Sequence, residues 1–285
     1  MQIFRCGADF QENALSTVAT TMLRAAASAD GGFEAPGIGE FFPAPFLFEG
    51  TIFELNRIQL VRIIATLVLV ALFWLASRNV RLVPTRGQSI AEMALDFVRV
   101  NIAEEVIGKN RAKPYVSLLT VMFWAILAMN ITGIIPGLNI AGTSVIGVPL
   151  ILAVVSLIAF IIAGVKAQGG WGFTKASLFP PGVPWPLYII LTPIEILSTF
   201  ILRPATLTVR LLANMVAGHL LLVTFFAMTH YLFFEASAAI KGVGVVAFGA
   251  AFAFTLFEIF VAALQAYIFT LLSAVYLSLS LGDEQ

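Results

Sequence analysis

The sequence predicts an all-α membrane protein with about five membrane-crossing helices and one amphipathic helix along the membrane surface. Of the 285 residues, 60% are hydrophobic and only 11% are charged, whereas soluble domains usually carry about 25% charged residues. The apolar stretches are continuous, which excludes an outer-membrane β-barrel because its strands alternate apolar and polar residues. The last two stretches are far longer than one crossing requires, and they are predicted to form a tilted helical hairpin.

The first three predicted spans have the length of ordinary transmembrane helices. They cover residues 55–77, 114–135 and 145–165, and a bilayer core of about 30 Å requires roughly 20 apolar helical residues. The third span is predicted to end before the pair Gly169-Gly170, because paired glycines favour a turn over a continued helix.

Residues 86–107 differ from these spans because their apolar and charged positions lie on different helix faces. The apolar positions recur at helical spacing: Ile90, Met93, Ala94, Phe97, Val98 and Ile102. This pattern predicts an amphipathic helix that lies along the membrane surface. The alternative is a linker helix that faces water.

The two long stretches, 187–234 and 242–281, are each predicted to be one helix rather than two. A helix of 40 residues, the length of the second stretch, is about 60 Å long, twice the length of a perpendicular crossing. Between Ala250 and Leu281 there is neither glycine nor proline to form a turn. The first stretch contains two prolines, which suit a kinked long helix.

These elements predict an N-terminal extramembrane segment, residues 1–50, followed by a single integral-membrane domain, residues 51–285. Within that domain, residues 187–281 form the long tilted hairpin. Residues 78–113 carry seven Lys and Arg, and residues 133–147 carry none. Because basic loops stay in the cytoplasm, the N-terminus is predicted to lie outside and the C-terminus inside.

Composition and motifs disfavour several classes of function. The single cysteine, Cys6, excludes an internal disulfide and a cysteine-based metal cluster. No basic patch indicates nucleic acid. There is no Gly-rich phosphate loop, no Gly-x-Ser-x-Gly and no His-Glu-x-x-His, so no cofactor, metal or catalytic site within this chain is expected.

Charged side chains inside the apolar stretches are the strongest functional signal, above all Arg210. A charge at mid-membrane costs at least about 2.5–3.5 kcal/mol, and arginine cannot neutralise itself by losing its proton. Glu195 precedes Arg210 by several helical turns and could reach it only through bending or water. Asn214 lies closer on the same face but carries no charge. The counter-charge is therefore expected to come from elsewhere.

His219 and Glu258 are a candidate proton-relay pair. Histidine titrates near neutral pH, and burial tunes a carboxyl group towards it. His219 lies nine residues after Arg210, roughly half a turn round the helix. Glu258 and Gln265 are seven residues apart and share one helix face. A purely structural hydrogen-bonded pair is the alternative.

Two sequence motifs resemble subunit a of the F-type ATP synthase. The first is Leu207-Thr208-Val209-Arg210-Leu211-Leu212-Ala213-Asn214-Met215-Val216-Ala217-Gly218-His219. The second is Leu264-Gln265-Ala266-Tyr267-Ile268-Phe269-Thr270, followed by Val275-Tyr276-Leu277. Weaker similarities occur at residues 130–136 and 193–195, and the resemblance covers residues 46–281.

The resemblance implies that the chain is the stator subunit of a bacterial ATP synthase, in the plasma membrane. In that family, two aqueous half-channels pass protons to and from a rotating ring of c-subunits. The arginine, here Arg210, faces the ring carboxylate and prevents proton leakage. The resemblance extends the proton path to His219, Glu258, Gln265, Asn214, Glu195 and Asn130. The implied partners are the c-ring, the peripheral-stalk b-type subunits, the rest of the complex, membrane lipid and the proton itself.

Two positions depart from the family pattern. Some relatives carry an acid after the arginine motif and a histidine on the last helix, whereas this chain has His219 and Glu258, the exchanged pairing. The exchange favours a functional contact between the two positions. Gly133 stands where some relatives have an aspartate, so the lining of the outer half-channel differs here.

Two other functions compete with this interpretation. A stand-alone ion-coupled secondary transporter would commonly show internal repeats and broken helices, and no repeat relates the halves of this chain. A structural membrane scaffold would tolerate an apolar residue at Arg210.

Overall fold

The computed structural model describes residues 56–78, 86–135, 141–178, 187–234 and 241–282. The helices are α1 (Arg57–Arg78), α2 (Arg86–Val98), α3 (Val116–Ile131), α4 (Gly147–Leu178), α5 (Tyr188–Ile196), α6 (Arg203–Phe234) and α7 (Lys241–Leu281). No strand occurs in these ranges, which confirms the all-α prediction. The predicted N-terminal segment 1–50 lies outside the described residues.

The helices long and apolar enough to cross a membrane agree with about five predicted spans. They are α1, α4, the combined α5 and α6, and α7, with α3 as a shorter apolar helix. The π-helical turns Leu197–Leu202 join α5 to α6, so one continuous helix occupies most of the stretch predicted to be a long kinked helix. The outward faces are apolar, as at Leu67, which is 63% exposed and suited to lipid contact.

The amphipathic segment is helical, as predicted. Helix α2 continues through π-helical turns at Arg99–Glu104 and a short turn at Glu105–Ile107. Val98 and Ile102 are fully buried, whereas Ile90 and Met93 are largely exposed. The predicted position along the membrane surface stays a prediction.

Helix α4 breaks at Gly169, where the sequence predicts the end of the third span. Gly169 has a φ of +74°, a conformation that only glycine adopts without strain. After the break the chain folds back, and the Phe173 ring packs 5.5 Å from the Phe160 ring. A Cβ atom at Gly164 would overlap the Phe173 ring, so this turn requires glycine at two positions.

The C-terminal end of α7 is fixed by two side chains from other segments. Arg111 Nη2 donates hydrogen bonds to the carbonyl oxygens of Leu281 at 3.0 Å and Gly282 at 2.8 Å. Gln168 Nε2 donates to the Ser280 carbonyl at 2.9 Å. Carbonyls in the last turn of a helix have no partner within it, and a cation there also opposes the helix dipole.

A second set of contacts joins α4, α6 and α7. Ser156 Oγ donates to Ser273 Oγ at 2.9 Å. The Arg203 guanidinium lies 5.0 Å from the centre of the Tyr276 ring and 5.9 Å from that of Phe160. The aromatic faces stabilise this cation, so Arg203 has a packing role in the structure.

By their internal contacts the residues form two compact units. The larger contains the described residues within 56–219 and 257–282, and the smaller contains those within 220–256. In the larger unit one buried cluster brings together residues of several helices, including Ile126 of α3, Leu211 of α6 and Phe269 of α7. In the smaller unit, Phe225 stacks on Phe254 with ring centres 4.6 Å apart.

Candidate functional site

The predicted relay residues lie on α6 and α7, which meet at Gly218 and Glu258 in the larger unit. His219 is 6% exposed and Glu258 is 7% exposed. A Cβ atom at Gly218 would overlap the carboxylate of Glu258, so this carboxylate lies directly against the backbone of the residue that precedes His219. The missing side chain of Gly218 creates the space that the carboxylate fills.

Asn130, on α3, lies beside α7, the helix that carries Glu258. Its side chain is fully buried, its Oδ1 accepts a 2.7 Å hydrogen bond from Thr143 Oγ1, and its Nδ2 donates to the Ala262 carbonyl at 3.5 Å. Ala262 follows Glu258 by about one helical turn. The structure therefore places Asn130 against α7 close to the level of Glu258.

Arg210 projects from the surface of this chain rather than into its core. Its neighbours Leu207 and Leu211 are buried, whereas Arg210 itself is exposed. Within the described ranges it makes no hydrogen bond, and the ion pair found there joins Arg99 to Glu104. Arg210 points outward because Leu207 and Leu211 occupy the packed face of α6.

Two predicted site residues, Asn214 on α6 and Gln265 on α7, have unused amide donors. Asn214 Nδ2 and Gln265 Nε2 are both buried, and neither has a hydrogen-bond partner among the described residues. Leu211 and Ala266, which adjoin Arg210 and Gln265 in sequence, belong to the same buried cluster. A buried donor without a partner is costly, so both amides are suited to bind water or a polar group of another subunit.

Glu195 lies on a different helix from the other predicted site residues. It lies half-buried on α5, ahead of the π-helical turns that lead into α6. No hydrogen bond or ion pair connects it to any of the described residues.

The described ranges contain no group of three His, Cys, Asp or Glu side chains able to hold a metal ion.

Sequence reasoning missed three residues that shape the site: Gly218, Thr143 and Arg62. Gly218 holds the Glu258 carboxylate, and Thr143 orients Asn130. Arg62 Nε donates to the Gly142 carbonyl at 2.7 Å. An arginine inside the first predicted span was the available signal for Arg62, whereas nothing in the local sequence indicates the partners of the other two.

Comparison with known proteins assigns the family. The family model for the ATP synthase A chain matches residues 59–278. This chain belongs to that family. ATP synthase subunit a of Rhodococcus erythropolis is 48% identical over 253 residues, which cover 89% of this chain and 92% of the relative. The corresponding proteins of Frankia alni and Pseudarthrobacter chlorophenolicus are 41% identical over 254 residues (87% of this chain, 86% of the relative) and 36% identical over 251 residues (88% and 94%).

Membership of the ATP synthase A chain family agrees with the resemblance of the two motifs. The chain is a multi-pass membrane protein and a subunit of the membrane sector, CF0, of an ATP synthase, a complex of ATP synthesis and ion transport. The family match includes α3, α4, α6 and almost all of α7, and with them Arg210, His219 and Glu258.

Proposed function

We propose that this chain is the static subunit that passes protons to and from a rotating ring of c-subunits. Two aqueous half-channels, opening to opposite sides of the membrane, reach the ring at different places. Proton flow through them couples the membrane potential to ATP synthesis, and each charge that crosses releases about 2.3 kcal/mol per 100 mV. The chain itself has no catalytic role.

The outward-facing charge of Arg210 is the observation that best supports this proposal. It is an exposed, permanently charged side chain in the apolar helix α6, without a partner among the described residues. A cation facing outward at membrane depth needs an anion, and an ionised carboxylate on a neighbouring subunit supplies it. A rotating ring presents a new carboxylate to Arg210 at each step, so Arg210 also separates the two half-channels.

The buried polar groups support a proton path on the same helices. His219 and Glu258 form the relay, and Gln265, Asn214 and Asn130 line the route with side-chain donors and acceptors. Glu195 is assigned to the route by family resemblance. The c-ring and the peripheral-stalk b-type subunits are the proposed partners, and the plasma membrane of a bacterium is the proposed location, with the N-terminus outside and the C-terminus in the cytoplasm.

The test is ATP-driven proton pumping by the assembled ATP synthase in inverted membrane vesicles. Arg210→Gln is expected to abolish pumping, and passive proton conduction is expected to rise because no fixed cation separates the half-channels. Arg203→Gln is the matched control, since it removes the same charge from the same helix at a position packed against aromatic rings. Pumping that survives Arg210→Gln overturns the proposal.

Two further measurements address the relay and the partner. Pumping that is unimpaired in both His219→Ala and Glu258→Ala would remove these residues from the path. Affinity purification of the tagged chain is expected to bring down a ring of c-subunits, and a chain that purifies alone with ion-transport activity supports a secondary transporter instead.

A further inference from the structure

Arg62 is a cation within an apolar helix, and the proposed proton path does not use it. It lies in the second turn of α1, a helix apolar enough to cross the membrane. Its Nε donates a 2.7 Å hydrogen bond to the Gly142 carbonyl, and its Nη2 is buried with no hydrogen-bond partner among the described residues. A charge within an apolar helix is costly, so the contact of Arg62 with Gly142 indicates a specific role for this side chain.

Gly142 is held from both sides in the connection between α3 and α4. Its amide donates to the Met129 carbonyl at 3.0 Å and to Thr132 Oγ1 at 3.3 Å, while its carbonyl accepts from Arg62. A Cβ atom at Gly142 would lie only 3.2 Å from Met129 Cβ and 3.4 Å from Arg62 Cγ. The backbone at Gly142 is therefore clamped between α1 and the end of α3.

The fixed backbone at Gly142 positions the next residue, Thr143, which in turn orients the Asn130 side chain. Thr143 is fully buried, and its hydroxyl donates to Asn130 Oδ1 at 2.7 Å. With its oxygen turned towards Thr143, the Asn130 amide directs its nitrogen to the Ala262 carbonyl of α7. Because an amide has a donor end and an acceptor end, the Thr143 hydroxyl decides which end faces α7 near Glu258.

We propose that Arg62 is a positioning residue for the proton path. It fixes the backbone at Gly142, so that Thr143 orients the Asn130 amide against α7 about one turn from Glu258. The inference rests on the proposed function, since Asn130 and Glu258 have this role only if protons pass between them. Arg62 acts through its Nε–H donor to Gly142, and its charge is not the operative property.

The test uses three variants of Arg62 in the intact ATP synthase. Glutamine carries a nitrogen donor at the same distance along the side chain as arginine Nε, methionine fills similar space without a donor, and lysine keeps the charge with its donor elsewhere. Arg62→Gln is expected to keep most of the pumping rate per assembled complex. Arg62→Met is expected to lose up to about tenfold, as for loss of one hydrogen bond. Lysine is expected to fall between them.

Results of two kinds overturn the inference. If glutamine and methionine both lose the rate while lysine keeps it, the charge of Arg62 is what matters. If all three variants keep the rate, Arg62 has no part in the path. Immunoblotting of assembled complex normalises each rate, so that a loss of assembly is separated from a loss of transport.

Thr143 provides an independent arm that does not require Arg62 to be replaced. Thr143→Ser keeps the hydroxyl and is expected to pump normally, whereas Thr143→Val keeps the shape without the hydroxyl and is expected to pump slowly. Because Arg62 and Thr143 act in series, Arg62→Met combined with Thr143→Val is expected to be no slower than the slower single variant. Multiplying losses, or equal rates for Thr143→Ser and Thr143→Val, contradict the inference.

Two reference variants separate this inference from the proposed function. Arg210→Gln and Glu258→Gln are measured in the same vesicles. If they abolish pumping while Arg62→Met does not, only the role of Arg62 is wrong. If they leave pumping intact, the proposed proton path itself is wrong.

Discussion

The carboxylate of Glu258 packs against the backbone of Gly218, in a space that any side chain at position 218 would fill. This contact places the Glu258 carboxylate next to the residue that precedes His219, and both Glu258 and His219 are buried. Two helices can bring an acid so close to a partner backbone only where the partner lacks a Cβ atom. Gly218 thus sets the geometry around the Glu258 carboxylate and is not only a helix-weakening residue.

Gly218→Ala is expected to displace the Glu258 carboxylate and strongly reduce proton pumping by the assembled enzyme, because the added methyl group overlaps the carboxylate. Gly249→Ala, in the same helix pair, is the control, since nothing lies within 4 Å of a Cβ atom there. Adding Glu258→Asp to Gly218→Ala shortens the acid by one methylene and is expected to restore part of the rate. Equal pumping by the two alanine variants would contradict the contact.

Exchanging the relay partners tests whether His219 and Glu258 act as a pair. His219→Glu and Glu258→His, made singly, are each expected to impair pumping, because each leaves two like groups. The double variant restores one imidazole and one carboxyl in the opposite order and is expected to recover part of the rate. Losses that simply multiply in the double variant would show that the two side chains are not coupled.

Arg111→Ala is expected to lower the thermal stability of the subunit in the purified complex. The change removes two hydrogen bonds, to the carbonyls of Leu281 and Gly282, and a cation at the C-terminus of α7, at a cost of about 1–3 kcal/mol. The midpoint of heat-induced aggregation measures the effect. Lys109→Ala removes an exposed cation from the same connection and is expected to leave that midpoint unchanged.

Gly164→Ala is expected to destabilise the turn at the end of α4 by about 1–3 kcal/mol, as overpacking of a tight contact usually does. The added Cβ atom overlaps the Phe173 ring, which must then leave its packing against Phe160. Gly172→Ala is the matched control, because its nearest contact would be an ordinary 3.5 Å to Gln168 Cβ. Phe173→Leu in the Gly164→Ala background relieves the overlap and is expected to recover stability, measured by the same aggregation midpoint.

Helix boundaries illustrate what a single sequence reveals and where it fails. The span predicted over 114–135 is a helix over Val116–Ile131. After Ile131, Thr132 Oγ1 donates to the Met129 carbonyl at 2.6 Å and Thr132 also receives a bond from Gly142, so the chain turns before the predicted end. The apolar composition continues through this turn, which is why hydropathy could not locate it.

Arg210 illustrates the same division for the candidate site. Its charge within an apolar stretch is visible in the sequence, and the resemblance of its motif is specific enough to assign a family. Its outward direction depends on which face of α6 packs against the other helices. Leu207 and Leu211 decide that face, and their partners belong to distant parts of the chain.

The sequence alone determined the class of fold, the positions of the spans and the identity of Arg210, His219 and Glu258 as unusual residues. These properties depend on composition within a window of about 20 residues, the length that crosses a bilayer. The tertiary structure alone decided that Glu258 rests on Gly218, that Arg62 clamps Gly142 and that Arg111 caps α7. Helical periodicity fixes angles within one helix, but the meeting of two helix faces depends on packing between residues far apart in the chain.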